Sequence, residues 1–314
     1  MYILETSRIY YEETFYQISI YVIIQDVRTL ARGKRREMRE IIRAKNSGFC
    51  FGVDRAVDES FRFIKTEGKT YTLGPLIHNT DVTNKLTEKG INEISLKDIP
   101  FLSDNDTVII RTHGVAMAVY DELKARNVEI IDLTCPYVIN IQKKVKEYHG
   151  KGYKIIILGD ENHPEVIGIN GYCENSAYIT KTGDLDFPLK GKICVVAQTT
   201  EKQENWRKLI GNIALTAKEF IAFNTICKAT EDRQKSADEI SREVDAMIVI
   251  GGRSSSNTTK LYEICKKNCA LTFLIENADD LGPVKEKIKD AVKVGITAGA
   301  STPEWIIKEA MENL

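Results

Sequence analysis

From Met38 onward the chain repeats one pattern: an apolar run of three to six residues, a short polar loop, then an amphipathic segment. The loops are rich in Cys, His, Ser, Thr, Asn or Gly. Nine such junctions can be read. They are GFCFGV after Ile41-Ile42, GPLIHNT after Tyr71-Thr72-Leu73, and RTHGV after Val108-Ile109-Ile110. Next come DLTCPYV after Ile130-Ile131, GDENHPEVIG after Ile155 to Leu158, and AQTTEKQ after Ile193 to Val196. The last are NTICKATEDRQ after Phe220 to Phe223, GGRSSSNTTKL after Met247 to Ile250, and TAGASTPEWI after Val292 to Ile296. Short strands alternating with helical segments predict an α/β fold with a mostly parallel sheet. In such sheets ligands gather at the carboxyl ends of the strands, where these polar loops fall.

The nine junctions form three sets of three, and the first junction of each set carries a cysteine: Cys50, Cys135 and Cys227. After Cys135, Pro136 suits the first helical position, and Val138, Ile141, Val145 and Tyr148 recur at helical spacing. After Cys50, Val53, Ala56, Val57, Phe61 and Ile64 do the same. The helix after Cys227 is weaker, with only Ala237, Ile240 and Val244. Three similar lobes about a central axis would bring the cysteines together.

Three thiols at helix N-termini would be acidified by unpaired backbone N–H groups and the positive dipole end. Converging, they make a soft metal site. Three ligands with one open position suit catalytic zinc or a [4Fe–4S] cluster with one iron free for substrate. The plain alternative is that each cysteine is a small buried hydrophobe. Cys173, Cys194, Cys265 and Cys269 lack the matched context and read as structural.

Three of the four histidines, His78, His113 and His163, also fall in strand-end loops, with His149 on a helix tail. Ser254-Ser255-Ser256-Asn257 and Ala300-Ser301-Thr302-Pro303 place hydroxyl and amide groups at helix starts, where backbone N–H groups favour anions. They form a neutral-donor pocket suited to a phosphate or diphosphate, although each alone is an ordinary helix cap. Glu165 adds an acid to the same layer, and Gln198-Thr199-Thr200 can position a hydroxyl group or a water.

Composition narrows the classes. With 44 basic and 45 acidic side chains in 314 residues, the near-zero charge argues against a nucleic-acid or acidic-membrane binder. No apolar run reaches a membrane span and no signal peptide is read, so a cytoplasmic protein is expected. Seven cysteines spread over this length are not a secreted disulfide framework. Residues 1–37, with five tyrosines and a basic end at Arg32 to Arg36, hold no sustained periodicity; they read as an accessory extension, or as translation upstream of the usual start. No strand is followed by G-x-G-x-x-G, and Gly68-Lys69-Thr70 lacks the leading glycine of a phosphate loop. On the residues alone, a zinc hydrolase with Glu165 as base and a non-catalytic binder of phosphorylated metabolites both stay open.

Read in order, GFCFGVDRA, LIHN, RTHGV, DLTCPYV, NHPEVIG, AQTT, NTICKAT, SSSN and GAST resemble the 4-hydroxy-3-methylbut-2-enyl diphosphate reductase (IspH/LytB) family, from about Met38 to Pro303. The resemblance implies three α/β lobes in a pseudo-threefold trefoil around a central iron–sulfur cluster. The first lobe would span 51–134 and the second 135–225; the third would join 38–50 to 226–314. It implies one [4Fe–4S] cluster held by Cys50, Cys135 and Cys227, with one open iron acting as a Lewis acid on the substrate hydroxyl. The implied reaction is a two-electron reductive dehydroxylation giving isopentenyl and dimethylallyl diphosphates, the last step of the methylerythritol phosphate route. His78, His113, His163, Ser255, Ser256, Asn257 and Ser301 match diphosphate-binding positions. Glu165 matches the proton-supplying acid, Thr199 the hydroxyl beside the substrate alcohol, and His163 is a second candidate for proton delivery. An external ferredoxin- or flavodoxin-type electron donor and a monomer are implied as well. A carboxyl group enclosed at position 165 should have a raised pKa.

Overall fold

The structure, a computed structural model, describes residues 39–63, 68–186, 189 and 191–314. Residues 1–37, Met38 and Ile64 lie outside the described residues. The elements run β1 (Glu40–Arg43), α1 (Phe51–Ser60), β2 (Thr70–Leu73), α2 (Thr80–Glu88), β3 (Ile91–Ile94), β4 (Thr107–Ile110), α3 (Met117–Ala125) and β5 (Glu129–Asp132). There follow α4 (Pro136–Gly150), β6 (Lys154–Leu158), α5 (Pro164–Asn170), β7 (Tyr178–Thr180), β8 (Lys192–Ala197), α6 (Gln203–Thr216) and β9 (Glu219–Ala222). The chain closes with α7 (Lys228–Ser241), β10 (Ala246–Ile250), α8 (Ser256–Asn268), β11 (Thr272–Ile275), α9 (Leu281–Lys287), β12 (Lys293–Ala298) and α10 (Glu304–Glu312).

The strands build three four-stranded parallel sheets, ordered β3-β2-β4-β5, β7-β6-β8-β9 and β11-β10-β12-β1. All three share one topology, except that the third sheet takes its last strand from the start of the described chain. The central strands are buried along nearly their whole length and, apart from β2 (Thr70–Leu73), mostly apolar, because both of their faces are covered. In β6, Ile155 and Ile157 enter one core cluster while Ile156 and Leu158 enter the other. In β10, Met247 and Val249 face one side, and Ile248 and Ile250 the other. The period of two that places side chains on alternate faces thus fills a double-sided core in every lobe.

β3, β7 and β11 fall outside the nine junctions read from the sequence. Each is an outer strand of three or four residues, and β3 is half polar (Ile91-Asn-Glu-Ile94) because it has a neighbour on one side only. The weak periodicity after Cys227 has a different cause. α7 is a full helix of 14 residues, but its buried face carries Thr230, Arg233, Ser236 and Ser241 beside Ala237 and Ile240. Val244 lies past its end.

The cysteine loops follow β1, β5 and β9, the last strand of each sheet, and open α1, α4 and α7. α1 packs into the core of the β2–β5 lobe, α4 into that of the β6–β9 lobe, and α7 into that of the lobe containing β10 and β12. Every cysteine therefore sits where the chain crosses from one lobe to the next, and that is why the three meet at the axis. The lobes touch closely there. A Cβ on Gly252 would lie 2.4 Å from the carbonyl oxygen of His78, and Ser301 Oγ donates to that oxygen at 3.2 Å. Between the second and third lobes the seam is polar: Thr200 Oγ1 and Ser256 Oγ are 3.0 Å apart, and Lys260 Nζ meets Glu201 Oε2 at 2.9 Å.

Candidate active site at the threefold junction

The carboxyl ends of the strands surround a cavity of about 740 Å³, its mouth included. All twelve residues singled out from the sequence line it: Cys50, Cys135, Cys227, His78, His113, His163, Glu165, Thr199, Ser255, Ser256, Asn257 and Ser301. The four remaining cysteines do not; Cys173, Cys194, Cys265 and Cys269 are buried in lobe cores.

Cys50, Cys135 and Cys227 are the N-caps of α1, α4 and α7, each extended in the backbone and none using its side chain as a cap. The sulfurs are therefore free to face the cavity, and all three are half-buried free thiols. One expectation is corrected. Helix N-termini were expected to acidify these thiols, yet burial pushes Cys135 up to about 11 and raises Cys227 as well. Backbone N–H groups of Tyr137 and Val138 do favour the Cys135 thiolate. Loss of water outweighs them, and the other thiols nearby add repulsion. Cys135 and Cys227 therefore give up their protons most readily to a cation, and three converging sulfurs fit a thiolate-ligated metal group. Space fits too: a Cβ on Gly52 would lie 2.7 Å from Cys135 Sγ, so the glycine leaves room for that sulfur.

The three histidine rings lining the same cavity lie 4.7–5.7 Å apart between centroids. Burial is the main cause that lowers His78 to about 4 and His163 to about 3 and holds His113 well below its ordinary value; mutual repulsion and Arg111 contribute. All three are neutral near pH 7. Ring nitrogens within 4.8 Å of one another offer a small divalent-ion site, but His163 does not suit it. Its Nδ1 accepts the backbone N–H of Glu165 at 3.2 Å, capping α5, which assigns the proton to Nε2 and makes that atom a donor. Among the described residues, His78 Nε2, His113 Nδ1 and both polar atoms of the Asn257 amide are buried and find no partner. Leaving such groups unmatched costs roughly 1–3 kcal/mol each, so this part of the cavity is built for a polar ligand.

Glu165 is 2% exposed. It accepts Thr199 N at 2.6 Å through Oε1 and Thr199 Oγ1 at 2.7 Å through Oε2. Burial raises its pKa against the opposing hydrogen bonds from Thr199 and the charge of Lys260. Ser255 caps α8 through Thr258 N, aiming the start of that helix at the cavity.

Sequence reasoning missed Arg233 and Lys260. Extending the Ala237–Ile240 stripe back one turn reaches Arg233, and Lys260 follows Ser256 by one turn, so helical spacing carried both signals.

The histidines set a pH dependence. Their folded pKa values lie below the unfolded value near 6.5, so below pH 6.5 the unfolded chain binds more protons than the folded one. Stability must then fall as pH drops from about 6.5 toward 4, by up to roughly 1.4 kcal/mol per pH unit for each histidine. Thermal denaturation across that range is the check; a melting temperature independent of pH would contradict it. Inorganic pyrophosphate should reverse part of the loss, because an anion beside the rings favours their protonated forms.

The family described as LytB protein matches residues 41–314. The 4-hydroxy-3-methylbut-2-enyl diphosphate reductase of Clostridium perfringens is 53% identical over 277 residues, covering 88% of this chain and 98% of that protein. The protein of the same name from Thermoanaerobacter sp. is 47% identical over 279 residues, 88% of this chain and 96% of that one. Two solved structures are similar. One is an (E)-4-hydroxy-3-methyl-but-2-enyl diphosphate reductase described as the terminal enzyme of the non-mevalonate pathway, with TM-score 0.63, 39% identity, and coverage of 87% of this chain and 98% of that one. The other is the E-1-hydroxy-2-methyl-but-2-enyl-4-diphosphate reductase of Plasmodium falciparum, with TM-score 0.78, 29% identity, and coverage of 88% and 87%. Among the described residues no helix is long and apolar enough to cross a membrane.

Proposed function

The chain belongs to the LytB protein family, and on that premise we propose that its central cavity is where it reduces 4-hydroxy-3-methylbut-2-enyl diphosphate. The enzyme is an iron–sulfur oxidoreductase of isoprenoid synthesis. One C–O bond breaks, and two electrons and two protons enter. One proton leaves with the hydroxyl oxygen as water and the other joins carbon, giving isopentenyl or dimethylallyl diphosphate. The observation that carries this reading is the meeting of three thiols and three neutral histidines in one cavity.

Cys50, Cys135 and Cys227 would hold a [4Fe–4S] cluster with one iron left without a protein ligand. When bound, it supplies the electrons and the Lewis acidity that no side chain can. His78, His113, His163, Ser255, Ser256, Asn257 and Ser301 would hold the diphosphate. The partnerless imidazole and amide groups gain hydrogen bonds, and the α8 N-terminus favours the negative charge. Holding both ends of a short substrate fixes its reactive carbon against the cluster side of the cavity. Glu165, whose pKa burial raises, would pass a proton toward the cavity by way of Thr199, whose hydroxyl oxygen lies 2.7 Å from Oε2 and lines the cavity. His163 Nε2–H is a second donor on that side. Electrons would come from an external one-electron carrier of ferredoxin or flavodoxin type. Every residue assigned above comes from one chain, so the reading needs no second subunit and is a monomer's, and a thiolate-held cluster suits the reducing cytoplasm.

The test is an anaerobic preparation counted for iron and sulfide, then given substrate and a low-potential reductant. Brown protein with about four irons per chain, yielding the two isomeric diphosphates and water, is the expected result. Colourless protein carrying one zinc and no reductase activity would overturn the reading in favour of a hydrolase.

A further inference from the structure

A single guanidinium ties together two of the cysteine loops. Arg233, on the second turn of α7, is 6% exposed. Its Nε and Nη2 donate to Gly48 O at 3.2 and 2.8 Å, Nη2 also to Phe49 O at 2.9 Å, and Nη1 to Ala229 O at 2.7 Å. Gly48 and Phe49 lead into Cys50, and Ala229 follows Cys227 in the first turn of α7. Main-chain carbonyls thus take most of the five N–H groups and leave the charge unbalanced. Among the described residues no carboxylate hydrogen-bonds or ion-pairs with Arg233; Asp232 adds a weaker favourable field than the two thiols and is itself paired with Lys228 at 3.0 Å. Burying a cation costs several kcal/mol unless an anion faces it. Arg233 lines the cavity beside Cys50 and Cys227 and interacts electrostatically with both thiols. Thiolates carrying an iron–sulfur cluster are the anion this arrangement lacks.

We propose that Arg233 is a positioning residue whose fixed positive charge, acting through Cys50 and Cys227, raises the reduction potential of the cluster. Reduction adds one electron and makes no bond, so the reduced state is the more negative one and gains more from the nearby cation. Net charge and hydrogen bonding around the sulfurs are established levers on such potentials. The proposal rests on the cluster reading above.

Anaerobic holoenzyme of the parent, Arg233→Lys and Arg233→Gln would be titrated by optical spectroelectrochemistry, with iron and sulfide counted on each sample. Arg233→Gln protein with parental iron is expected to be about tenfold harder to reduce, or 59 mV lower for one electron, with Arg233→Lys within about threefold of the parent. Iron lost from the Gln variant alone, with the Lys variant at the parental potential, also supports a role for the charge, since Lys keeps the charge without the fork. Equal potentials at equal iron content would overturn the proposal. Loss of iron from both variants would overturn it too, and would make Arg233 a loop clamp only. Absence of iron from the parent is a separate outcome that fails the cluster reading itself.

Discussion

Cys135→Ser protein is expected to lose nearly all its bound iron and its reductase activity to background while keeping its fold. The thiol at this position is pushed up to about 11 by burial when no cation is near, so it ionises only in exchange for a metal, releasing its proton as the metal binds. A serine hydroxyl does not ionise there at all. Cys50→Ser and Cys227→Ser should behave alike, since each residue is the N-cap of its helix and serine is a good N-cap. Iron analysis, circular dichroism and turnover on the same samples give the check. Cys194→Ala is the control: that side chain is buried in the second lobe's core, so the change should cost stability without removing iron. Parental iron and turnover in Cys135→Ser protein would sink the assignment.

Glu165→Gln should lower turnover by roughly 10²–10⁴-fold, the usual size of a general-acid contribution. Gln keeps the shape: its carbonyl can accept Thr199 N, while its amide donates to Thr199 Oγ1, the reverse of the parental bond. The fold should therefore stay intact and only the proton be lost. Stability supplies a second, opposite readout. Because burial raises the Glu165 pKa, the parent gains stability from the neutral acid at low pH and loses it as pH rises through the folded pKa. Glu165→Gln has no such loss, so its melting temperature should exceed the parent's increasingly toward alkaline pH. Such a gain in stability at the expense of activity is common where a site holds a group under strain. Parental turnover in this variant would remove Glu165 from the proton path.

How far the site could be read in advance depended on the kind of signal. Apolar runs that end in Cys, His or Ser loops mark the strands that aim at the axis, because central strands are buried on both faces and leave a continuous apolar trace. β3, β7 and β11 left no comparable mark, since the loops after them begin Ser95-Leu96-Lys97, Lys181-Thr182-Gly183 and Glu276-Asn277-Ala278 and carry no Cys or His. α7 was faint for a different reason: its buried face spends positions on Arg233, Ser236 and Ser241, groups that satisfy loops rather than fill a core. The lowered cysteine pKa anticipated from helix dipoles was reversed, because the sign of a shift depends on water exclusion as well as on the nearest dipole.

The sequence by itself determined the α/β class, the threefold repeat and twelve of the side chains now lining the cavity, since strand period, helix spacing and loop composition are local properties of the chain. The family resemblance already joined 38–50 to the third lobe and put lobe boundaries beside the three cysteines; only the tertiary structure decided that β1 pairs with β12 and that Arg233 binds the loop before Cys50 to the helix after Cys227. Those features join residues far apart in the chain. Their electrostatics follow from how much water the packed lobes exclude, a quantity that no stretch of sequence contains.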